Sequence, residues 1–481
     1  MSLLIKTLFE KTKVCPDSII LSGKNILLSY SNIIDEINQL SNYLKKYKNE
    51  HIAISLENSP ANVIVDLVCI KHNIVNVPIP LFFTNEQKKH IFNTVGTTII
   101  ISDTYQNNQS TKVICAKKEI FITPTNYTKK TIIPKTIKIT FTSGSTAKPK
   151  GVCLSQEAIE QTALSLIKKI DTTKIKKVAA LLPTTVLLEN VAGCYTSILS
   201  GATYDIRSQS SIGLDQTTGF DFQKTLNYLN KQQINACILV PELLKGFLYT
   251  LNIKKTPLTH LKFIALGGSK VSSKLLSKAK KQGLNVYQGY GLSECNSVVS
   301  VNTPKYNKIS SVGKPLSNTI ITINKNQEII IKKPIMLGYL DNLKPINSIK
   351  TGDLGYIDKE GFLHFIGRKK NTIITSMGRN VAPEWLESEL LSQMEIIQAL
   401  VVGDSEKHIS ALLVPSSNKF NNKKIQTVVD VVNKNLPNYA KIKQWLCVSP
   451  FTQNNNQLTV NGRIRRNEII KQYQQEIKNL Y

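Results

Sequence analysis

Apolar residues along the first 370 positions alternate between two rhythms. Residues 31–45 carry Ile33, Ile37, Leu40 and Leu44 at the spacing of one helix face, and a compact apolar run at 51–55 follows with the length of a buried strand. This helix-then-strand alternation repeats and predicts stacked strand-helix-strand units. Its plainest instance runs from an apolar strand at 263–266 through Gly267, Gly268 and Ser269 to a helix at 272–281 and a second strand at 284–287. Such a crossover is right-handed when its strands pair in parallel. Parallel sheets hold ligands beyond the carboxyl ends of their strands, which makes 267–268 and 289–294 candidate site loops by position.

The texture changes near residue 370. Residues 355–365 read as a hairpin around 358–361, the basic turn Gly367-Arg368-Lys369-Lys370-Asn371 follows, and a smaller unit runs to the C-terminus. The fold class is therefore α/β, with a large N-terminal domain of stacked βαβ layers over 1–369 and a small C-terminal α/β domain over 370–481. With 41% apolar residues among 481, the chain builds a sizeable core and is not a mostly disordered one.

Sixty-one Lys and Arg stand against 33 Asp and Glu, a formal net charge of +28. Such a surplus favours anionic partners without choosing among nucleotides, coenzymes, nucleic acid and lipid surfaces. A codon bias toward Lys, Ile and Asn accounts for it equally well. Eight cysteines are scattered with no C-x-x-C pair, and six histidines show no ligand spacing, so neither a disulfide framework nor a transition-metal centre is indicated. No small-residue cleavage site follows MSLLIKTLFEKTK. The most apolar stretch, 61–83, is broken by Asp66, Lys71 and His72, and the expectation is a cytoplasmic protein without a membrane span.

Candidate chemistry starts where the strand at 136–141 runs into Thr142-Ser143-Gly144-Ser145-Thr146-Ala147-Lys148-Pro149-Lys150-Gly151. Small hydroxyl residues let backbone amides approach a polyphosphate, and Lys150 adds a mobile point charge. It is not a Walker loop, because Pro149 stands where that motif needs glycine. Glu294, after a turn containing Gly289 and Gly291, suits Mg²⁺ held through one or two carboxylate oxygens, and read alone it is equally a solvated loop glutamate. Asp353 suits the two hydroxyls of a ribose, or an Asx turn. Arg368 offers a rigid fork of donors at the domain boundary. Lys369 and Lys370 also read as a solvated basic turn.

Together these segments resemble the adenylate-forming superfamily, which includes acyl-CoA synthetases, adenylation domains of peptide synthetases and firefly luciferase. The loop at 142–151 is similar to T-S-G-[ST]-T-G-x-P-K-G except at Ala147. In the family's order follow Gly267-Gly268-Ser269, Tyr290-Gly291-Leu292-Ser293-Glu294, Thr351-Gly352-Asp353 and Gly367-Arg368-Lys369-Lys370-Asn371. The resemblance extends from about Tyr30 to Arg463. It implies ATP bound by Ser143, Gly144, Ser145, Thr146, Gly267, Gly268, Ser269, Tyr290, Gly291, Ser293, Asp353 and Arg368, Mg²⁺ on Glu294, and catalytic roles for Thr142, Lys150, Glu294 and Arg463. It also implies a small mobile domain that turns about a hinge near 368–371, at Lys370, between adenylation and thioester formation. Residues 376–384 resemble the segment that then faces the site. The family's C-terminal T-x-[ST]-G-K is here Thr459-Val460-Asn461-Gly462-Arg463. Arginine keeps the positive charge but is planar and bidentate where an ammonium is compact.

The implied reaction makes an acyl-adenylate from ATP and a carboxylic acid, then a thioester with coenzyme A, in a chain that is an active variant despite Ala147 and Arg463. Val186, Leu187, Leu188 and Leu244, with Val240-Pro241 and the helix from Glu242, border either an acyl pocket or simply the core, and no buried charge stands ready to grip an amino group. That favours a fatty or other apolar acid. Alternatives are transfer to an acyl-carrier protein and a non-catalytic relative that binds acyl or nucleotide ligands. A nucleic-acid or membrane-surface module on the lysines of 168–177 and 274–281 lacks aromatic interleaving or a recognised motif, so no nucleic-acid partner and at most peripheral membrane contact are expected.

Overall fold

The helix expected at 31–45 spans Tyr30–Leu44 and begins at a reciprocal cap. Ser29 Oγ accepts from the Asn32 amide at 3.3 Å while Asn32 Oδ1 accepts from the Ser29 amide at 3.2 Å. Its buried stripe includes Ile33, Ile37, Leu40 and Leu44. The computed structural model describes residues 2–142, 149–215, 219–254, 256–342, 346–459 and 462–481.

Two large sheets carry the N-terminal part. In one of nine strands, Ile19–Ser22, Thr203–Asp205, Lys177–Ala179, Ala236–Leu239, Phe263–Leu266 and Val286–Tyr290 lie parallel in that spatial order. The other has eight strands, parallel at its centre (Thr136–Thr142, Val75–Pro78, His51–Ser55, Ile99–Ser102) and antiparallel at both flanks. Helix Pro60–Lys71 is buried on every side from Pro60 to Ile70, the pattern of a helix enclosed by neighbours all round. Beside it Glu189–Tyr195 forms a π-helical segment that continues into Thr196–Ser200. One apolar cluster joins residues of both sheets with these helices.

The crossover read from 263–287 is present, with helix Ser273–Lys281 capped by Ser272, but its second strand starts later, at Val286. Leu284 is used up in closing the helix, where its amide donates to Ala279 O at 3.0 Å. The strand then continues through Gly289 and Tyr290, which the sequence places in a loop. A third sheet is wholly antiparallel (Ile320–Ile323, Glu328–Lys333, Ile349–Ile357, Leu363–Arg368) and departs from the βαβ rhythm.

The apolar clusters of this large part include nothing beyond Phe365, and those of the C-terminal part begin at Ile373. There Ile396–Val402 and Ile409–Pro415 pair antiparallel, Ile442–Cys447 adds in parallel, and helices Pro383–Leu391 and Asn422–Asn433 join the core. Lysines fasten the two parts. Lys245 Nζ donates to Gln393 O at 2.6 Å and to Ile396 O, and Lys278 Nζ donates to Ser392 O at 3.0 Å. Cations thus meet the carboxyl end of helix Pro383–Leu391, where the helix dipole welcomes them. Part of the basic character of 274–281 is consumed in this way. No helix among the described residues is long and apolar enough to cross a membrane.

Candidate active site

Several strand ends and two turns converge on one cleft. Thr142 ends its strand opposite Lys150, which starts Lys150–Ser155, so the two ends of the hydroxyl-rich loop stand side by side. Ser143, Gly144, Ser145 and Thr146 lie outside the described residues. Lys150 Nζ lies 5.7 Å from the centroid of the Tyr339 ring, and the Tyr339 hydroxyl donates to Glu294 Oε1 at 3.0 Å. Burial and then the Glu294 charge raise the Tyr339 pKa, which keeps it a donor. A cation and a carboxylate therefore flank one tyrosine, an arrangement able to hold a polyphosphate and its Mg²⁺ from two sides. The sequence offered no signal for Tyr339, which arrives on the two-residue strand Gly338–Tyr339 paired with Lys150–Ser155.

Asp353 stands within the strand Ile349–Ile357, directly opposite Arg368. Only 2% of it is exposed. Tyr290 Oη donates to its Oδ2 at 2.7 Å, and Arg368 Nε approaches Oδ1 to 2.8 Å. That ion pair lacks hydrogen-bond alignment, so Oδ1 has no hydrogen-bond donor among the described residues. Burial raises the Asp353 pKa, against Arg368 and Tyr290, which lower it. A buried carboxylate oxygen bare of donors fits a ribose hydroxyl. Its carboxyl serves Tyr290 and Arg368 instead of an Asx turn.

Gly267, Gly268 and Ser269 follow the strand Phe263–Leu266 and line the cleft, with Gly268 at φ +101°. Gly291 is glycine for a different reason, since a Cβ there would fall 1.7 Å from the Ser297 carbonyl oxygen. Ser293 opens the short turn that carries Glu294. Lys370 lies in the turn Lys369–Asn371 between the last strand of the large part and Ile373–Ile374.

Arg463 reaches the cleft from the C-terminal part. Its amide donates to Thr459 Oγ1 at 3.0 Å, and Gly462 at φ +73° turns the chain before it. The residue keeps access to solvent yet is ringed by charges. Burial in the cleft and the neighbouring Arg368 lower its pKa, while Glu294, Asp353 and Glu242 pull it up. Arg466 points away and pairs with Glu387. The hairpin Ile373–Ile374 with Asn380–Val381 leaves Met377 exposed, so segment 376–384 displays its tip to solvent while Arg463 lines the cleft.

The cleft deepens into a cavity of about 720 Å³ lined by Leu181, Val186, Leu187, Leu188, Val240 and Pro241 among others. Leu244 is not one of them; it is fully buried in the core below the helix Pro241–Lys254. Glu189, which the sequence did not single out, is completely buried beside this cavity. Burial pushes its pKa up to about 8, against the Tyr204 hydroxyl and the Leu182 amide, which donate to it at 2.9 and 3.1 Å. Burial thus favours its neutral form, which offers no charge to an amine.

The model of a family described as AMP-binding enzyme matches residues 8–340, and that of the AMP-binding enzyme C-terminal domain matches 370–481. The chain is similar to a 2-succinylbenzoate–CoA ligase of Listeria monocytogenes, 25% identical over 81% of this chain and 83% of that one. It is also similar to a long-chain-fatty-acid–CoA ligase of Mycobacterium bovis, 29% identical over 45% of this chain but only 41% of the other. Among solved structures, an anthranilate CoA ligase with anthranoyl-AMP superposes with a TM-score of 0.83 over 99% of this chain and 98% of its own, at 14% identity. The O-succinylbenzoate coenzyme A synthetase of Bacillus subtilis with AMP gives 0.77 over 96% and 97%, at 22% identity. The chain belongs to the AMP-binding enzyme family.

Proposed function

We propose that the chain is an ATP-dependent acid–coenzyme A ligase that first joins a carboxylate to AMP and then passes the acyl group to the thiol of coenzyme A. The observation that carries this is that Arg463, which lines a largely apolar cavity, interacts electrostatically with Glu294 and Asp353, while Lys150 and Glu294 flank Tyr339. The cofactors are ATP, Mg²⁺ and coenzyme A. Asp353 takes the ribose through its bare Oδ1, and Tyr290 and Arg368 keep that carboxylate in place. Glu294, steadied by Tyr339, is the side chain that would hold Mg²⁺, whose charge offsets that of the phosphates. Lys150 is the cation for the departing pyrophosphate, as the resemblance implies.

The acid carboxylate attacks the α-phosphorus and pyrophosphate leaves, so Arg463 meets the charge that grows on the α-phosphate. A preorganised donor at such a place is worth about 3 kcal/mol in the transition state. The coenzyme A thiol, once it loses its proton, then attacks the acyl carbon of the mixed anhydride and AMP leaves. For the second step the small domain turns about 368–371, with Lys370 in the hinge, which requires the Lys245 and Lys278 contacts to part.

The named relatives divide over the acid, some taking succinylbenzoate and others long-chain fatty acids. The cavity lining supports an apolar acid. Pyrophosphate release with MgATP and a panel of acids tests the first half, and thioester formation with coenzyme A against an acyl-carrier protein tests the second. Absence of pyrophosphate with every acid would sink the ligase reading.

A further inference from the structure

The cavity does not stop at the carboxyl ends of the strands. Three neighbouring strands and the residues just past their carboxyl ends line it, over Val178 to Leu182, Ala236 to Val240 and Phe263 to Gly267. At a rise near 3.3 Å per residue, four steps make a passage about 13 Å deep along the sheet face. Val178, Ala236, Ile238, Phe263 and Ala265 belong to the lining and Cys237 and Leu266 touch it as well, while Ala179 and Ile264 are fully buried in the core behind. The far wall is Leu188, Ala192, Thr196 and Ser200, spaced four apart along one face of the segment that begins as the π-helix. Ile170, Thr172 and Ile175, which lie ahead of the strand Lys177–Ala179, line the inner end, at the amino ends of these strands and away from the nucleotide cleft.

Small side chains hold the passage open, Ala236 and Ala265 on the sheet against Ala192, Thr196 and Ser200 on the helix. Its hydroxyls are turned inward. Thr196 Oγ1 donates to Val191 O at 2.9 Å, Ser197 Oγ to Gly193 O at 2.6 Å and Ser200 Oγ to Ser197 O at 3.2 Å. The described lining includes two cations, Lys270 and Arg463, and both sit at the nucleotide end. Lys270 is engaged there with Ile366 O at 2.7 Å. None of Ile170, Thr172 and Ile175, the described residues that line the inner end, is a cation, so a second carboxylate there finds no charged partner in the lining, and burying an unpaired charge is costly.

Resting on the ligase reading, we infer that this passage takes the tail of a straight-chain monocarboxylic acid, threaded from Arg463 past Leu188 and Ala192 toward Ser200, and that it rejects an acid with a second carboxylate. A 13 Å passage accommodates roughly ten methylenes in extended form.

The test is kcat/KM for MgATP-dependent pyrophosphate release with straight-chain acids from acetate to palmitate, alongside benzoate and 2-succinylbenzoate. The expected result is a rise of about two- to fourfold per methylene up to about ten carbons, with 2-succinylbenzoate far below the best acid. Ala192→Leu, halfway down, and Ser200→Leu, near the end, then shorten the preferred acid, Ala192→Leu by more. Melting temperatures close to the parent's show that both variants fold. Activity that ignores chain length, or that is greatest with 2-succinylbenzoate, overturns the passage while leaving the ligase reading intact. Silence with every acid overturns both.

Discussion

Two buried aspartates in this chain have almost the same partners and opposite jobs. Asp66 lies between the large sheets with Lys138 Nζ at 3.0 Å and Tyr195 Oη at 2.7 Å, and Asn76 and Asn190 donate to it as well. Asp353 has Arg368 at 2.8 Å and Tyr290 Oη at 2.7 Å. One cation and one phenol meet each carboxylate. Burial raises the pKa of both; at Asp66 Lys138 and the hydrogen bonds outweigh it and the net shift is downward, whereas at Asp353 the net shift is upward. The difference is completeness. Every oxygen of Asp66 is provided for, while Oδ1 of Asp353 has only the misaligned Arg368 beside it and lacks a hydrogen bond. A closed ionic cluster fixes how helix Pro60–Lys71, strand Thr136–Thr142 and the π-helix sit together, and an open one waits for a ligand.

Substitution at the two positions separates these roles most sharply. Asp66→Ala strands Lys138 in the core and is expected to cost about 3–5 kcal/mol of stability, read as a lowered urea midpoint, with ATP kinetics of the surviving fold little altered. A variant as stable as the parent contradicts the cluster's structural role. Next in size is Arg463→Ala, expected to slow adenylation about 100-fold by single-turnover pyrophosphate release, with Arg463→Lys recovering part of the rate. Thioester formation from added acyl-adenylate is expected to change far less, because that step uses the turned domain. Undiminished adenylation in Arg463→Ala removes the residue from the mechanism.

Asp353→Asn is the milder counterpart of Asp66→Ala. It keeps the shape and a hydrogen-bond acceptor but loses the charge, and the ATP KM is expected to rise about tenfold or more, the scale of a hydrogen bond to a charged group. Because ribose is held alike before and during the reaction, kcat is expected to fall less than KM rises. A large loss of stability with unchanged ATP kinetics would make Asp353 a second Asp66.

The open cluster could be found in the sequence and the closed one could not. Asp353, Arg368 and Tyr290 sit in short segments whose local chemistry is conspicuous, such as Gly352-Asp353 or Gly367-Arg368. Lys138 sits inside an apolar strand and Asp66 inside an apolar helix, 72 residues apart, and only the packing of sheet on helix shows that they meet. The same limit hid Tyr339, whose importance comes from reaching Glu294 across 45 residues. Strand boundaries shifted where turn chemistry competed with apolar pattern, as at Leu284. Leu244 reads like its neighbours on an apolar helix face, and burial alone separates the wall of the cavity from the core behind it.

Glu189 supplies the limiting case, a buried carboxyl that has the Tyr204 hydroxyl and the Leu182 amide but no cation as a partner among the described residues. It sits under Gly193, where a Cβ would come within 2.2 Å of its Oε1, and it stays protonated because nothing compensates the charge. A carboxyl raised from 4.5 to about 8 on folding holds a proton that the unfolded chain has already released. Its contribution is fully present below pH 4.5, declines as the pH rises, and is gone above about 8. Glu189→Gln removes that titration while the amide oxygen still accepts from Leu182 and the Tyr204 hydroxyl turns to accept from the amide nitrogen. The slope of stability against pH between 5 and 8 is therefore expected to flatten in the variant by up to about 1.4 kcal/mol per pH unit, seen in urea midpoints across that range. Parallel curves for parent and variant would mean that Glu189 is already ionised at neutral pH, and the cavity would then have a charged wall rather than a neutral one.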